Sequence, residues 1–156
     1  MSKVTQSQKV LAKNRRAFYD YEFLETYEAG IVLKGTEVRS LREGGGQLTD
    51  TFALARKGEV WLFGLYIRPF SHGNRANQIP DRPRKLLLHR RQIDQLAAKV
   101  TQAGLTLVPI KLYFAKNNLV KVELGLARGK KRHDKRAALA KKDSQREVER
   151  ALKARG

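Results

Sequence analysis

Asn14, Arg15 and Arg16 stand directly ahead of Phe18, Tyr19 and Tyr21, so forked guanidinium donors and flat rings share one short stretch of chain. Arg68-Pro69-Phe70-Ser71-His72 repeats the mixture. Guanidinium groups neutralise phosphates and rings stack on splayed bases, so these stretches carry the chemistry of RNA recognition. Pro80-Asp81-Arg82-Pro83-Arg84-Lys85 sets three cations beside two loop-forming prolines and reads as an exposed, stiff basic loop. Core packing competes for every ring, because strand aromatics usually turn inward. The arginines have no such alternative.

Residues that could break or make bonds are harder to find. His72, His89 and His133 lie in separate segments, without the i, i+4 spacing or the neighbouring Glu of a metal site. Asp50 and Asp81 are lone acids that read as turn residues, and the remaining body carboxylates are scattered rather than convergent. Gly44-Gly45-Gly46 lacks the following Lys-Ser/Thr of a phosphate loop and reads as a helix breaker. The chain contains no cysteine, which excludes disulfides, zinc ribbons and iron–sulfur clusters and suits a reducing cytoplasm. The expectation is a binding protein, not an enzyme, with no metal and no cofactor.

Charge supplies the partner class. Lys and Arg number 33 against 15 Asp and Glu, a net charge of +18. A field of that size draws in polyanions and makes their binding salt-dependent. The N-terminal arm, residues 1–16, holds Lys3, Lys9, Lys13, Arg15 and Arg16 and no acid. Residues 128–156 hold twelve cations against Asp134, Asp143, Glu147 and Glu149. In the middle of the chain, Arg68 to Arg91 carries seven cations against Asp81 alone. No stretch is long and apolar enough to span a membrane, the N-terminus lacks the apolar core of a signal peptide, and the basic segments lack the apolar faces that would seat them on lipid.

The elements that must position these groups are mostly strands. Tyr19, Tyr21 and Phe23 alternate with polar residues, as do Ile31 and Leu33. Phe52 and Leu54, a Lys57-Gly58 turn, and Trp61, Phe63, Leu65 and Ile67 predict a hairpin with those residues on one face. A clearer hairpin runs from Val108, Ile110, Leu112 and Phe114 through Asn117-Asn118 to Val120, Val122, Leu124 and Leu126, with Pro109 arguing for an edge position. Helices are expected over Thr36–Glu43 and over Arg90–Ala103, where Ile93, Leu96, Ala97 and Val100 form a stripe ended by Gly104. Five or six antiparallel strands with short helices predict a mainly β fold, a small OB-like barrel, a common RNA platform. With 156 residues the chain divides into an RNA-binding body, 1–128, and a basic tail, 129–156. The tail has too little apolar surface to offset ordering entropy, so it should be disordered when free and helical on a polyanion. An inert solubilising tail is the plainer alternative.

The ordered series of motifs resembles the SmpB family, small proteins that partner tmRNA in bacterial ribosome rescue. It runs from Asn14-Arg15-Arg16-Ala17 through Tyr27-Glu28-Ala29-Gly30 and Leu33-Lys34-Gly35-Thr36-Glu37-Val38-Arg39-Ser40-Leu41-Arg42. It continues at Leu62-Phe63-Gly64, Ile67 and Pro69, then at Arg82-Pro83-Arg84-Lys85-Leu86-Leu87-Leu88, and closes on Gly129-Lys130-Lys131-Arg132-His133-Asp134-Lys135-Arg136. Each piece is weakly specific, but the order and spacing together are not. The resemblance implies an OB-like body that grips the tRNA-like domain of tmRNA, with family binding positions at Glu28, Leu87 and His89. His89 departs from relatives that carry Asn there, and Glu28 is expected to be a buried acceptor for base or sugar donors. Charge adds Asn14, Arg15, Arg16, Lys34, Arg84 and Lys85.

The resemblance also implies that the body stands where the missing anticodon arm of tmRNA would be, in the A site of a stalled ribosome. The tail then enters the empty mRNA channel through Gly129, Lys130, Lys131, His133, Asp134, Lys135 and Arg136, against ribosomal RNA. The implied partners are tmRNA and the ribosome, with EF-Tu and alanyl-tRNA synthetase reached through tmRNA, for a cytoplasmic monomer in trans-translation. A ribosome-associated OB-fold factor acting without tmRNA explains the charge and the barrel but not the motif series. A nonspecific nucleic-acid chaperone explains the charge alone. Amides from Lys130 onward are expected to exchange fast in the free protein; strong protection there would refute a tail that orders only on its partner.

Overall fold

Alternating apolar residues build the centre of the molecule. The computed structural model describes residues 9–71 and 79–130. The described strands are β1 (Lys9–Lys13), β2 (Tyr21–Ile31), β3 (Gly46–Gln47), β4 (Phe52–Arg56), β5 (Glu59–Phe63), β6 (Tyr66–Ile67), β7 (Arg84–Leu87), β8 (Thr106–Phe114) and β9 (Val120–Gly129). Among the described residues three α-helices, α1 (Ala17–Asp20), α2 (Gly35–Arg42) and α3 (Arg90–Ala103), and a 3-10 turn at Lys116–Asn118 join them. The main sheet runs β1-β8-β4-β5-β7-β2-β9, and β9 also pairs with β8. That last pairing closes β8-β4-β5-β7-β2-β9 into a six-stranded antiparallel barrel, with β1 added along β8. Closure leaves the barrel strands no free edge. The expected small OB-like barrel is what forms.

Local chemistry explains several elements. Arg56 pairs with Glu59 across a two-residue turn, and Lys57 and Gly58 both take the positive φ values, 51° and 75°, that such hairpins need. Asn118 (φ 58°) does the same between β8 and β9. Helix α3 spans the predicted residues, buries Ile93 and Leu96 against the barrel, and ends on Gly104 in the left-handed conformation.

Two sequence expectations about faces fail. On β5 the core residues are Val60 and Leu62, whereas Trp61 and Phe63 face outward, where Phe63 stacks on the exposed Phe52 at 5.4 Å. Gly64 (φ 87°) breaks the alternation, so Leu65 and Ile67 return to the core by a different path. Pro109 is not at an edge. Strand β8 pairs with β9 on one side and with β4 and β1 on the other, and Pro109 sits at a bulge in the β9 register. The bulge reverses the inward face: Leu107, not Val108, joins the main core with Leu112 and Phe114. Val108 instead packs with Ala17, Ala127, Tyr21 and Phe23 on the outside of the barrel. There the Phe23 ring lies over Gly125 so closely that a Cβ at 125 would stand 2.2 Å from it.

The two halves of the expected division also meet. Gly129 is the last residue of β9, and the Lys130 amide donates to the Asp20 carbonyl at 3.0 Å, so the first two of the seven tail positions are hydrogen-bonded to the barrel and α1. Protection should therefore reach one residue further than the sequence suggests. The stretches 1–8, 72–78 and 131–156, and with them His72, His133 and the rest of the tail, lie outside the described residues.

One charged cluster is buried in this fold. Arg84 is fully buried and Glu37 nearly so. Arg84 donates from Nε to Glu37 Oε2 at 2.8 Å, from Nη1 to the Leu65 and Arg82 carbonyls, and from Nη2 to the Pro80 carbonyl. Glu37 Oε1 accepts from the Lys34 amide at 2.9 Å, which closes the first turn of α2, and from Arg82 Nη2. Burial pushes the Glu37 carboxyl up, but hydrogen bonds from Arg82, Lys34 and Arg84 outweigh it and leave the pKa below the ordinary value. Glu37→Gln strips the buried guanidinium of its counter-charge and is expected to cost about 3–5 kcal/mol at neutral pH, read from urea midpoints. A depressed carboxylate stabilises above its unfolded pKa and stops doing so as pH falls through the folded one. The gap between wild type and Glu37→Gln should therefore close below about pH 4.

Candidate nucleic-acid interface

The pairing of β2 with β7 brings side chains far apart in sequence onto one outer face. Ala29 points into the core, so Glu28 and Gly30 face out; Arg84 and Leu86 point in, so Lys85 and Leu87 face out. Gly30 pairs with Leu87. A Cβ at residue 30 would lie 3.3 Å from the Leu87 Cβ, so glycine makes room for a leucine that is 52% exposed. The recorded pairing ends at Leu87, and His89 follows two residues later, after the strand. His89 is the exposed N-cap of α3, and its amide donates to Gln92 Oε1 at 3.2 Å. Glu28, Leu87 and His89 are all exposed, and their carboxylate, aliphatic and imidazole groups are able to accept from base or sugar donors, cover an apolar ring face, and donate or accept.

Glu28 is exposed, not buried as expected, and its Oε2 accepts from the Tyr113 hydroxyl. Lys85 lies beside this patch and pairs with Glu59 at 2.7 Å, with both side chains about two-fifths exposed. Such a pair is worth at most about 1 kcal/mol, so the Lys85 ammonium can exchange Glu59 for a phosphate. The basic loop needs correcting. Arg84 is the most buried cation described and has no donor left to offer; Arg82 is largely buried against Glu37. The arginines of this motif hold the protein together, and Lys85 is its most solvent-exposed cation.

The second cationic stretch borders a cleft of about 740 Å³, with Lys13, Asn14, Arg15 and Arg16 on one wall and Asp50 and Phe52 on the other. Asn14 works structurally here. Its amide donates to the Ile110 carbonyl at 2.8 Å, and its Nδ2 to the Pro109 carbonyl at 3.0 Å, at the β8 bulge. Arg16 reaches Asp20 at 3.4 Å and lies 4.9 Å over the Tyr19 ring, while Arg15 is exposed. Lys34, exposed at the N-cap of α2, stands apart from both groups in the chain. Lys130 Nζ donates to the Phe18 carbonyl at 2.6 Å, which places the base of the tail beside α1. Of the rings singled out, Phe18 is 60% exposed and Tyr19, Tyr21 and Phe70 are partly covered.

Tyr113 was missed by sequence reasoning. The signal was present: it alternates with the core residues Leu112 and Phe114, so it had to face the outer side of β8, where Glu28 lies two strands away. Among the described residues no cluster of His, Asp and Glu could hold a metal ion, and no helix is long and apolar enough to cross a membrane.

Comparison with known proteins gives a consistent set of likenesses. The family described as "SmpB protein" matches residues 11–154. The SsrA-binding protein of Carboxydothermus hydrogenoformans is 56% identical over 148 residues, covering 95% of this chain and 99% of that one. The SsrA-binding protein of Geobacter sulfurreducens is 52% identical over 146 residues, covering 94% and 95%. A chain in a solved structure described as "tmRNA-SmpB: a journey to the center of the bacterial ribosome" is 55% identical, with a TM-score of 0.65 over 81% of this chain and 92% of that one.

Proposed function

The chain belongs to the SmpB family, and from that premise we propose that its barrel holds the tRNA-like domain of tmRNA through the Glu28–Leu87–His89 patch and delivers it to the A site of stalled ribosomes for trans-translation. The observation that supports this reading is the β2–β7 register, in which Gly30 pairs with Leu87, so that exposed Leu87 stands on the same outer face as Glu28. Lys85 supplies a phosphate contact at its border. Arg15 and Arg16 add a second cationic surface beside the cleft, and Lys34 a separate exposed charge. The residues after Lys130 lie in the empty mRNA channel, where Lys131, Lys135 and Arg136 neutralise ribosomal RNA phosphates and His133 stacks on a base. EF-Tu and alanyl-tRNA synthetase act on the same tmRNA and meet this protein through it, in the cytoplasm. The protein works by binding and carries out no bond-making step of its own.

The roles divide between body and tail. The barrel closes with residues up to Gly129, so removing residues 131–156 should leave tmRNA binding nearly intact and abolish rescue of stalled ribosomes. Equal loss of RNA binding would overturn that division.

Glu28 and Lys85 separate recognition from attraction. Removing a carboxylate from a +18 protein tightens purely electrostatic binding. If Glu28 accepts from RNA, Glu28→Ala instead leaves donors unpaired in the complex, at a cost of about 1–3 kcal/mol. Glu28→Ala should therefore weaken tmRNA selectively, with the salt slope unchanged. Lys85→Ala should weaken every RNA and lower the slope by about one. Salt titrations of both variants against tmRNA and an unrelated structured RNA decide it; unchanged or tighter tmRNA binding by Glu28→Ala would reduce Glu28 to a strand residue.

A further inference from the structure

Glu28 is held by a neighbour that its own strand does not supply. Across β9, Glu28 stands directly opposite Glu123. Two carboxylates in that relation repel, and an exposed glutamate has several rotamers in which to escape. Two contacts counter the repulsion. Lys111 Nζ lies 3.6 Å from Glu123 Oε2 and draws off its charge. The same ammonium lies 5.5 Å over the Tyr113 ring. Tyr113 is 3% exposed, and its hydroxyl donates to Glu28 Oε2. A buried ring is a rigid donor: it fixes where one carboxylate oxygen sits and leaves the other for a second donor. Burial and the bond to Glu28 both push the Tyr113 phenol well above its ordinary pKa, so the hydroxyl keeps its proton throughout the physiological range.

We propose that Tyr113 is a positioning residue for RNA recognition, presenting the Glu28 carboxylate in the orientation that RNA donors require. The inference rests on Glu28 being an RNA contact. Tyr113 itself need not touch RNA.

The test is a double-mutant cycle in the full-length protein, with Tyr113→Phe, Glu28→Ala and the double variant titrated against the tRNA-like domain of tmRNA and against an unrelated structured RNA. Tyr113→Phe keeps the ring, and a thermal melt establishes that the barrel is intact. The expected result is a roughly three- to tenfold weaker affinity for the tRNA-like domain from Tyr113→Phe, the scale of one hydrogen bond. Binding to the other RNA and the salt slope should stay unchanged. In the Glu28→Ala background the same substitution should cost nothing further, because no carboxylate remains to position. Three outcomes would overturn the proposal. If Glu28→Ala weakens binding but Tyr113→Phe does not, Glu28 contacts RNA without help. If Tyr113→Phe costs as much in both backgrounds, its role is independent of Glu28. If Glu28→Ala itself has no effect, the assignment of Glu28 fails and takes the positioning role with it.

Discussion

The buried pair of Arg84 and Glu37 is the constraint on which the rest of the molecule depends. A guanidinium without solvent is tolerable only if every nitrogen finds an acceptor, and here they find Glu37 and the carbonyls of Leu65, Pro80 and Arg82. Those partners come from α2, from the turn after β5, and from the segment leading into β7. One side chain therefore ties three connections to the wall of the barrel. With Arg84 pointing inward, the alternation of β7 turns Lys85 and Leu87 outward. The patch proposed to meet RNA is the reverse side of the buried pair.

This also explains why net charge is a poor guide to where RNA sits. The cationic motif around residues 82–85 looks like a phosphate clamp in sequence, yet two of its three cations are consumed inside the protein. Affinity that rises with charge alone would accept any polyanion. An exposed carboxylate such as Glu28 repels phosphate and favours a partner that brings donors to it, so in the proposed site selectivity comes from the minority charge.

The sequence made legible whatever depended on one strand or helix at a time. The α3 stripe with Gly104 behind it, the Lys57-Gly58 turn, and the β9 run of Val120, Val122, Leu124 and Leu126 are local patterns, and the structure keeps them. What stayed hidden depended on pairing. Pro109 could sit at an edge or at a bulge, and only the Asn14 side chain donating to its carbonyl and the strands on either side of β8 decide for the bulge. Trp61 and Phe63 alternate as regularly as Val60 and Leu62, so periodicity could not say which pair faces inward; the smaller aliphatic pair fits inside a six-stranded barrel. Arg84 and Tyr113 were opaque for the same reason: each is defined by a partner more than forty residues away. The candidate site was legible through its family motif at Glu28, Leu87 and His89, but the β2–β7 register that sets Leu87 on the same face as Glu28 was not.

Strand β9 ends with Gly129 hydrogen-bonded into the sheet and Lys130 fastened to the Phe18 and Asp20 carbonyls, which gives whatever follows a fixed origin. A tether rooted this way acts as a ruler. Any segment that binds while tied to a seated body does so as an intramolecular event at high effective concentration. The root also sets angular phase. In a segment that turns helical on its partner, each residue added just beyond Lys130 advances every later side chain by about 1.5 Å and rotates it by about 100°. Length and phase between Lys130 and the distal basic residues are thus quantities that the barrel itself calibrates.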